Sequence, residues 1–131
     1  MSSISFKDFD NWLRRYGDAW EKGDPGSIKA LFTSDAQYYE TPFDAPMIGL
    51  DAIIKYWRDN AVLSQEDVSF CYNVLAVDRN VGLARWSAHF KRLPSGNRVK
   101  LDGIFKAEFS DDGKCGVFRE WWHRIEEAPF D

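Results

Sequence analysis

The stretch LDGIFKAEFSDDGKCGVFREWW, Leu101–Trp122, decides the fold. Two alternating runs flank SDDGK, a turn-forming connector that joins antiparallel neighbours. Successive side chains of a strand point to opposite faces. Leu101, Gly103, Phe105, Ala107 and Phe109 therefore share one face, which is apolar or small. Lys100, Asp102, Lys106 and Glu108 share the other, which is charged. On the second run Phe118, Glu120 and Trp122 share one face, and Trp121 and His123 the other. The adjacent tryptophans serve opposite faces of one strand.

Working outward, period two begins after Ser64-Gln65 and persists through four segments: Asp67 to Val77, Val81 to Leu93, Arg98 to Ser110, and Cys115 to Glu127. Ala84, Trp86, Ala88 and Phe90 form the apolar set of the second. The connectors DRN, PSGN and SDDGK predict a meander of four antiparallel strands. The earlier chain reads as helical. Ser5 with Asp8 makes a capping box, and Phe6, Phe9, Leu13, Tyr16 and Trp20 recur at helical spacing. Gly23 ends that helix. Asp24-Pro25 opens a short second one carrying Ile28, Leu31 and Phe32. AQYYETP, from Ala36 to Pro42, reads as a short strand and PFDAPMIG as a loop. Asp51 caps a third helix with Ile54, Trp57 and Ala61 on one side. This order predicts an α+β fold with helices on one face of a sheet.

At 131 residues the chain has the usual length of one domain, 1–131, with room for one core. Its 17 basic and 21 acidic side chains, net -4, include no basic run. Neither nucleic acid nor an anionic membrane is an expected partner. Cys71 and Cys115 have no metal-ligand spacing. His89 and His123 lie on the outer face without a third ligand, so no metal is expected. No Ser-His-Asp order, nucleophile elbow or Gly-rich phosphate loop is present. The start MSSISFKDFD has no signal-peptide pattern, and no apolar run approaches the roughly 18 residues that span a bilayer. A cytoplasmic location is expected. The unusual quantity is aromatic content, 16% with six Trp, which exceeds what a small core needs. It points to a lined cavity, an aromatic interface, or both.

Several of these marks together resemble the nuclear transport factor 2-like superfamily, in its SnoaL-like branch. They are Tyr16 with Ala19-Trp20-Glu21-Lys22-Gly23-Asp24, then Leu31-Phe32-Thr33-Ser34-Asp35-Ala36, then Pro42 with Gly49-Leu50-Asp51-Ala52-Ile53, and the long hairpin quoted above. The resemblance implies a cone-shaped, curved antiparallel sheet wrapped around three N-terminal helices, with a small-molecule pocket between them. The superfamily includes ketosteroid isomerases, scytalone dehydratase, limonene-epoxide hydrolase, polyketide cyclases and non-catalytic binding or dimerising modules, so fold alone does not fix function.

Ketosteroid isomerase is the most informative comparison. Tyr16, seven residues before Gly23, matches its oxyanion-stabilising tyrosine. Glu40, five residues after Asp35, matches its general base. Phe105, four residues before Phe109, stands where that enzyme has a protonated aspartate. Half of the oxyanion hole is missing, so steroid isomerisation is not expected.

Glu40 and Glu120 are the two carboxylates expected against an aromatic interior, where desolvation raises a carboxyl pKa and suits it to acid or base work near neutrality. Tyr16 is a hydrogen-bond donor for a developing oxyanion. Asp102, outside by alternation, becomes a further catalytic candidate if a bulge turns it inward. Trp20, Trp57, Trp86, Phe105, Phe118 and Trp122 are the expected ligand-binding walls. The resulting expectation is a cofactor-free isomerase, lyase, cyclase or hydrolase acting on a small apolar substrate. The alternative is a non-catalytic ligand-binding or dimerisation module, with both glutamates in structural pairs and Tyr16 a core residue. Leu83, Ile104, Val117, Trp121 and Ile125 give the outer face apolar ground among Arg85, Arg119 and His123, which predicts a homodimer through that face.

Overall fold

The computed structural model describes residues 3–129. Helix α1 (Phe6–Lys22) starts where the capping box places it. The Ser5 hydroxyl accepts from the Asp8 amide at 3.0 Å, and Asp8 Oδ2 accepts from the Ser5 amide at 3.3 Å. Two amides that a helix start leaves unpaired are thereby satisfied. Gly23, with φ 65°, closes the helix in the left-handed conformation that glycine adopts without steric cost. Phe9, Leu13, Tyr16 and Trp20 are buried, but Phe6 is exposed on the first turn. Trp12, beside that stripe, is also buried and donates Nε1 to the Leu31 carbonyl at 2.9 Å.

Three local expectations need correction. The second helix is a 3-10 helix, Pro25–Ala30, and Leu31 and Phe32 leave it. Tertiary partners draw them out: the Leu31 carbonyl also accepts from the Cys115 amide at 2.8 Å, and Phe32 pairs with Cys115. Strand β1 (Phe32–Tyr39) therefore begins at Phe32 rather than Ala36, and the loop after it contains a short strand, β2 (Met47–Ile48). Helix α2 (Leu50–Tyr56) is preceded by Gly49 at its N-cap, with Asp51 inside the first turn. The backbone there has φ 89°, which excludes a capping aspartate in favour of glycine. The helix then widens into a π-helical segment, Trp57–Val62.

Strands β3 (Gln65–Asp78), β4 (Val81–Arg92), β5 (Arg98–Phe109) and β6 (Cys115–Glu127) form the expected meander. The sheet is curved and has the order β2-β1-β6-β5-β4-β3. It is not wholly antiparallel, because β1 runs parallel to β6. A meander pattern says that consecutive strands are neighbours; it does not say what covers the last edge, and β1 fills that edge.

Register carries the face assignment. Phe105 pairs with Ala84 and Glu120, Gly103 with Trp86 and Trp122, and Ala107 with Phe118. A Cβ at Gly103 would sit 1.9 Å from the Trp121 carbonyl oxygen, so only glycine permits this approach of β6. The inner face holds the core: Trp86, Phe105 and Phe118 are almost fully buried, and the Trp86 and Phe105 rings stack at 4.6 Å. Burial of each such ring contributes on the order of 2–3 kcal/mol. This dry floor supports a polar site further along the same strands.

Candidate active site

A cavity of about 330 Å3 lies between α1, α2 with its π-helical extension, and the inner face of β4–β6. Trp20, Trp57 and Trp122 line it, as expected, together with Tyr16, Glu40 and Glu120. The two carboxylates thus reach one space from different strands: Glu40 follows the end of β1, and Glu120 lies in β6.

Among the described residues Glu120 is the buried acidic one, only 6% exposed. Desolvation is the main effect on it, and it disfavours the carboxylate. The nearby negative charge of Glu40 acts in the same direction, while a hydrogen bond from Tyr38 opposes both. The balance pushes its pKa from 4.5 up to about 8. Glu120 therefore holds a proton at neutral pH. None of the described ion pairs reaches Glu120 or Glu40.

Around this pair stands a set of phenols. Tyr56 donates its hydroxyl to Glu40 Oε2 in a short contact, and Trp122 Nε1 donates to the Glu40 backbone carbonyl at 2.9 Å. The carboxylate is thus oriented by α2 while its backbone is tied to β6. The Tyr16 and Tyr38 hydroxyls share a hydrogen bond of 2.9 Å. Burial, then the charge of Glu120, pushes both phenols well above the ordinary tyrosine pKa, so each stays a neutral donor. Trp20 Nε1 donates to Gln65 Oε1 at 2.7 Å, fixing one wall.

The other expected site residues lie elsewhere. Trp86, Phe105 and Phe118 do not line the cavity; they form the core beneath it. The Tyr16 ring covers Phe105 and Phe118, with centroids 5.2 Å and 5.3 Å away, and the Trp20 ring meets Trp86 at 5.9 Å. An inward-facing side chain can thus be too deep to meet a ligand. Asp102 is on the outer face, where its carboxylate accepts from Arg85 at 2.6 Å with 56% of the side chain exposed. The β4–β5 register is unbroken from Val81 to Lys91, so no bulge turns Asp102 inward. Its candidacy in the pocket is withdrawn.

Tyr38, Tyr56, Arg92 and Arg124 also line the cavity and were missed by sequence reading. Tyr38 shares strand parity with Glu40, Arg92 with Phe90, and Arg124 with Trp122, so the alternation carried a signal for three of them. Tyr56 had none, because the π-helical segment changes the angular spacing beside Trp57.

A curved sheet closing over helices, with a carboxyl pair and phenols lining one cavity, matches a protein of the nuclear transport factor 2-like class. More narrowly, a family model described as a SnoaL-like domain matches residues 13–115, and the chain belongs to that family. Among solved structures it is similar to the one described as "Intriguing role of epoxide hydrolase/cyclase-like enzyme SalBIII in pyran ring formation in polyether salinomycin". That likeness has a TM-score of 0.76 and 19% identity, covering 87% of this chain and 89% of the other. At that identity it speaks to the fold. The comparison with curated proteins finds no match. Among the described residues, no helix is long and apolar enough to cross a membrane.

Proposed function

We propose that this chain is a small-molecule enzyme using carboxyl acid/base catalysis on a compact, largely apolar substrate that carries an oxygen function. One observation carries the reading: a carboxyl group protonated at neutral pH shares a cavity with a second carboxylate that a tyrosine orients. Environments that treat two titratable groups differently suit them to opposite roles. Glu120 gives its proton to an oxygen that is leaving or gaining negative charge. Glu40 takes a proton from carbon, from water or from a substrate hydroxyl. Tyr38 donates to Glu120 and Tyr16 to Tyr38, so a developing oxyanion gains the Tyr16 hydroxyl by displacing that second bond.

This arrangement serves isomerisation, dehydration, cyclisation and water addition. The SalBIII structure is described as epoxide hydrolase/cyclase-like and tied to pyran ring formation. Epoxide opening has the same two needs: a proton for the epoxide oxygen and a base for the attacking hydroxyl. The test is a panel of small epoxides, β-hydroxy ketones and enolisable ketones, with turnover and solvent-deuterium incorporation followed by NMR. General acid/base groups contribute about 10²–10⁴-fold, so Glu40→Gln and Glu120→Gln should each cost at least about a hundredfold. Parental rates in both variants would contradict the proposal.

The same reading includes a homodimer through the outer sheet face. Leu83, Trp121 and Ile125 are exposed there, which leaves apolar area for a partner to cover. Light scattering should find a dimer that Trp121→Glu converts to monomer; a wild-type monomer at high micromolar concentration contradicts it.

A further inference from the structure

The inner face changes character along β6 in steps of two residues: Phe118, Glu120, Trp122, Arg124, Glu126. Along β4 the inward positions run Trp86, Ala88 and Phe90 and end at Arg92, with no acid among them. On β6, apolar floor, acid, aromatic wall and guanidinium mouth thus follow in order. Arg92 and Arg124 both line the cavity that contains Glu40 and Glu120. Neither belongs to the chemistry assigned above.

Their hydrogen bonding is unequal. Glu126 is committed to Arg92, whose Nε lies 3.2 Å from both carboxylate oxygens. A second Arg92 nitrogen, Nη2, also lies 3.2 Å from Glu126 Oε1. Asn97 Nδ2 donates to the same carboxylate at 2.9 Å. Arg124 comes no closer than 3.9 Å to Glu126, beyond hydrogen-bond reach, and its side chain is 51% exposed. Two guanidiniums therefore face one carboxylate, which leaves one positive charge in excess and a guanidinium fork with donors to spare. Deeper in the cavity the charge is negative, at Glu40.

We infer that the substrate is a carboxylate monoanion, gripped at the pocket mouth by Arg124 with Arg92 behind it, and inserted with its uncharged reacting end toward Glu120 and Glu40. A guanidinium matches a carboxylate with two parallel hydrogen bonds. The field supplies direction: the mouth attracts an anion and Glu40 repels it, so the molecule enters with the charged group last. Four residues of strand separate Glu120 from Arg124, about 13 Å between Cα atoms. The carboxylate and the reacting oxygen or carbon are thus separated by a short chain or a single ring. This inference deepens the proposed function and rests on the cavity being the substrate site.

The experiment measures binding alone, so it can fail independently of catalysis. Tryptophan fluorescence, reporting from Trp20, Trp57 and Trp122, would be titrated with phenylbutyrate, its methyl ester and phenylbutanol at low salt. The acid should bind about tenfold tighter than either neutral probe, the effect of one charge-assisted hydrogen-bonded pair. Arg124→Met should abolish that preference and leave the neutral probes unchanged. Glu126→Gln, which adds net positive charge and releases Arg92, should tighten the acid a few-fold. Glu120→Gln should keep the preference, and it would keep it even if Glu120 proved to have no catalytic role. Equal affinity for acid and ester in the parent overturns the inference. So does an equal loss for all probes in Arg124→Met, and so does the absence of measurable binding for all three.

Discussion

Asp102 and Glu120 are carboxylates on adjacent strands of one sheet, yet their surroundings give them different chemistry. Asp102 points outward into water and is neutralised by Arg85 at 2.6 Å. Glu120 points inward, has no cationic partner among the described ion pairs, and meets the charge of Glu40 instead. The first sits in water beside a guanidinium, while burial and a like charge keep the second protonated. Residue type says little about which carboxyl does chemistry; the face of the strand says much more.

This contrast can be broken by experiment, beginning with the largest expected effect. Folding keeps a proton on Glu120 that the unfolded chain releases above its ordinary pKa of 4.5. The folded state thus binds more protons between 4.5 and about 8, and stability falls as pH rises through that window. At about 1.4 kcal/mol per pKa unit, the loss approaches roughly 5 kcal/mol by pH 9. Urea denaturation from pH 5 to pH 9 should show this decline in the parent and a much flatter profile in Glu120→Gln. A parallel decline in both proteins would place its origin elsewhere.

Next in size is Tyr56→Phe, which removes the hydroxyl that orients Glu40. Turnover should fall about tenfold with little change in substrate affinity, since the lost hydrogen bond positions the base and is worth about 1.5 kcal/mol. A change confined to KM would instead make Tyr56 a binding residue. The smallest effect belongs to Asp102→Asn. An exposed ion pair contributes little, so the unfolding midpoint and activity should match the parent. A large loss of activity in Asp102→Asn would erase the difference between the two faces.

Much of this architecture is legible in the sequence, because period two repeats over four consecutive strands. Parity puts Phe118 and Glu120 on one face and Trp121 on the other, and the family resemblance, which sets Phe105 inward, says which face is inner. Depth along the cone is not legible. Trp86, Phe105 and Phe118 face inward but lie beneath the cavity, because the Tyr16 and Trp20 rings of α1 land on top of them. Where a helix crosses a sheet is a tertiary outcome that no strand pattern encodes. The parallel pairing of β1 with β6 is hidden for the same reason. Arg92 and Arg124 are a different case, since the alternation already assigned their parity and had only to be followed two residues further.

The central claim is that Glu120 carries its proton at neutral pH inside the shared cavity. Carbon-13 NMR of the glutamate carboxyl groups, titrated across pH and assigned with Glu120→Gln, measures it directly. The Glu120 signal should titrate with a midpoint near 8. In Glu40→Gln the midpoint should move downward, because the neighbouring negative charge is gone. A midpoint near the ordinary 4.5 would contradict the claim, and with it the assignment of Glu120 as the acid.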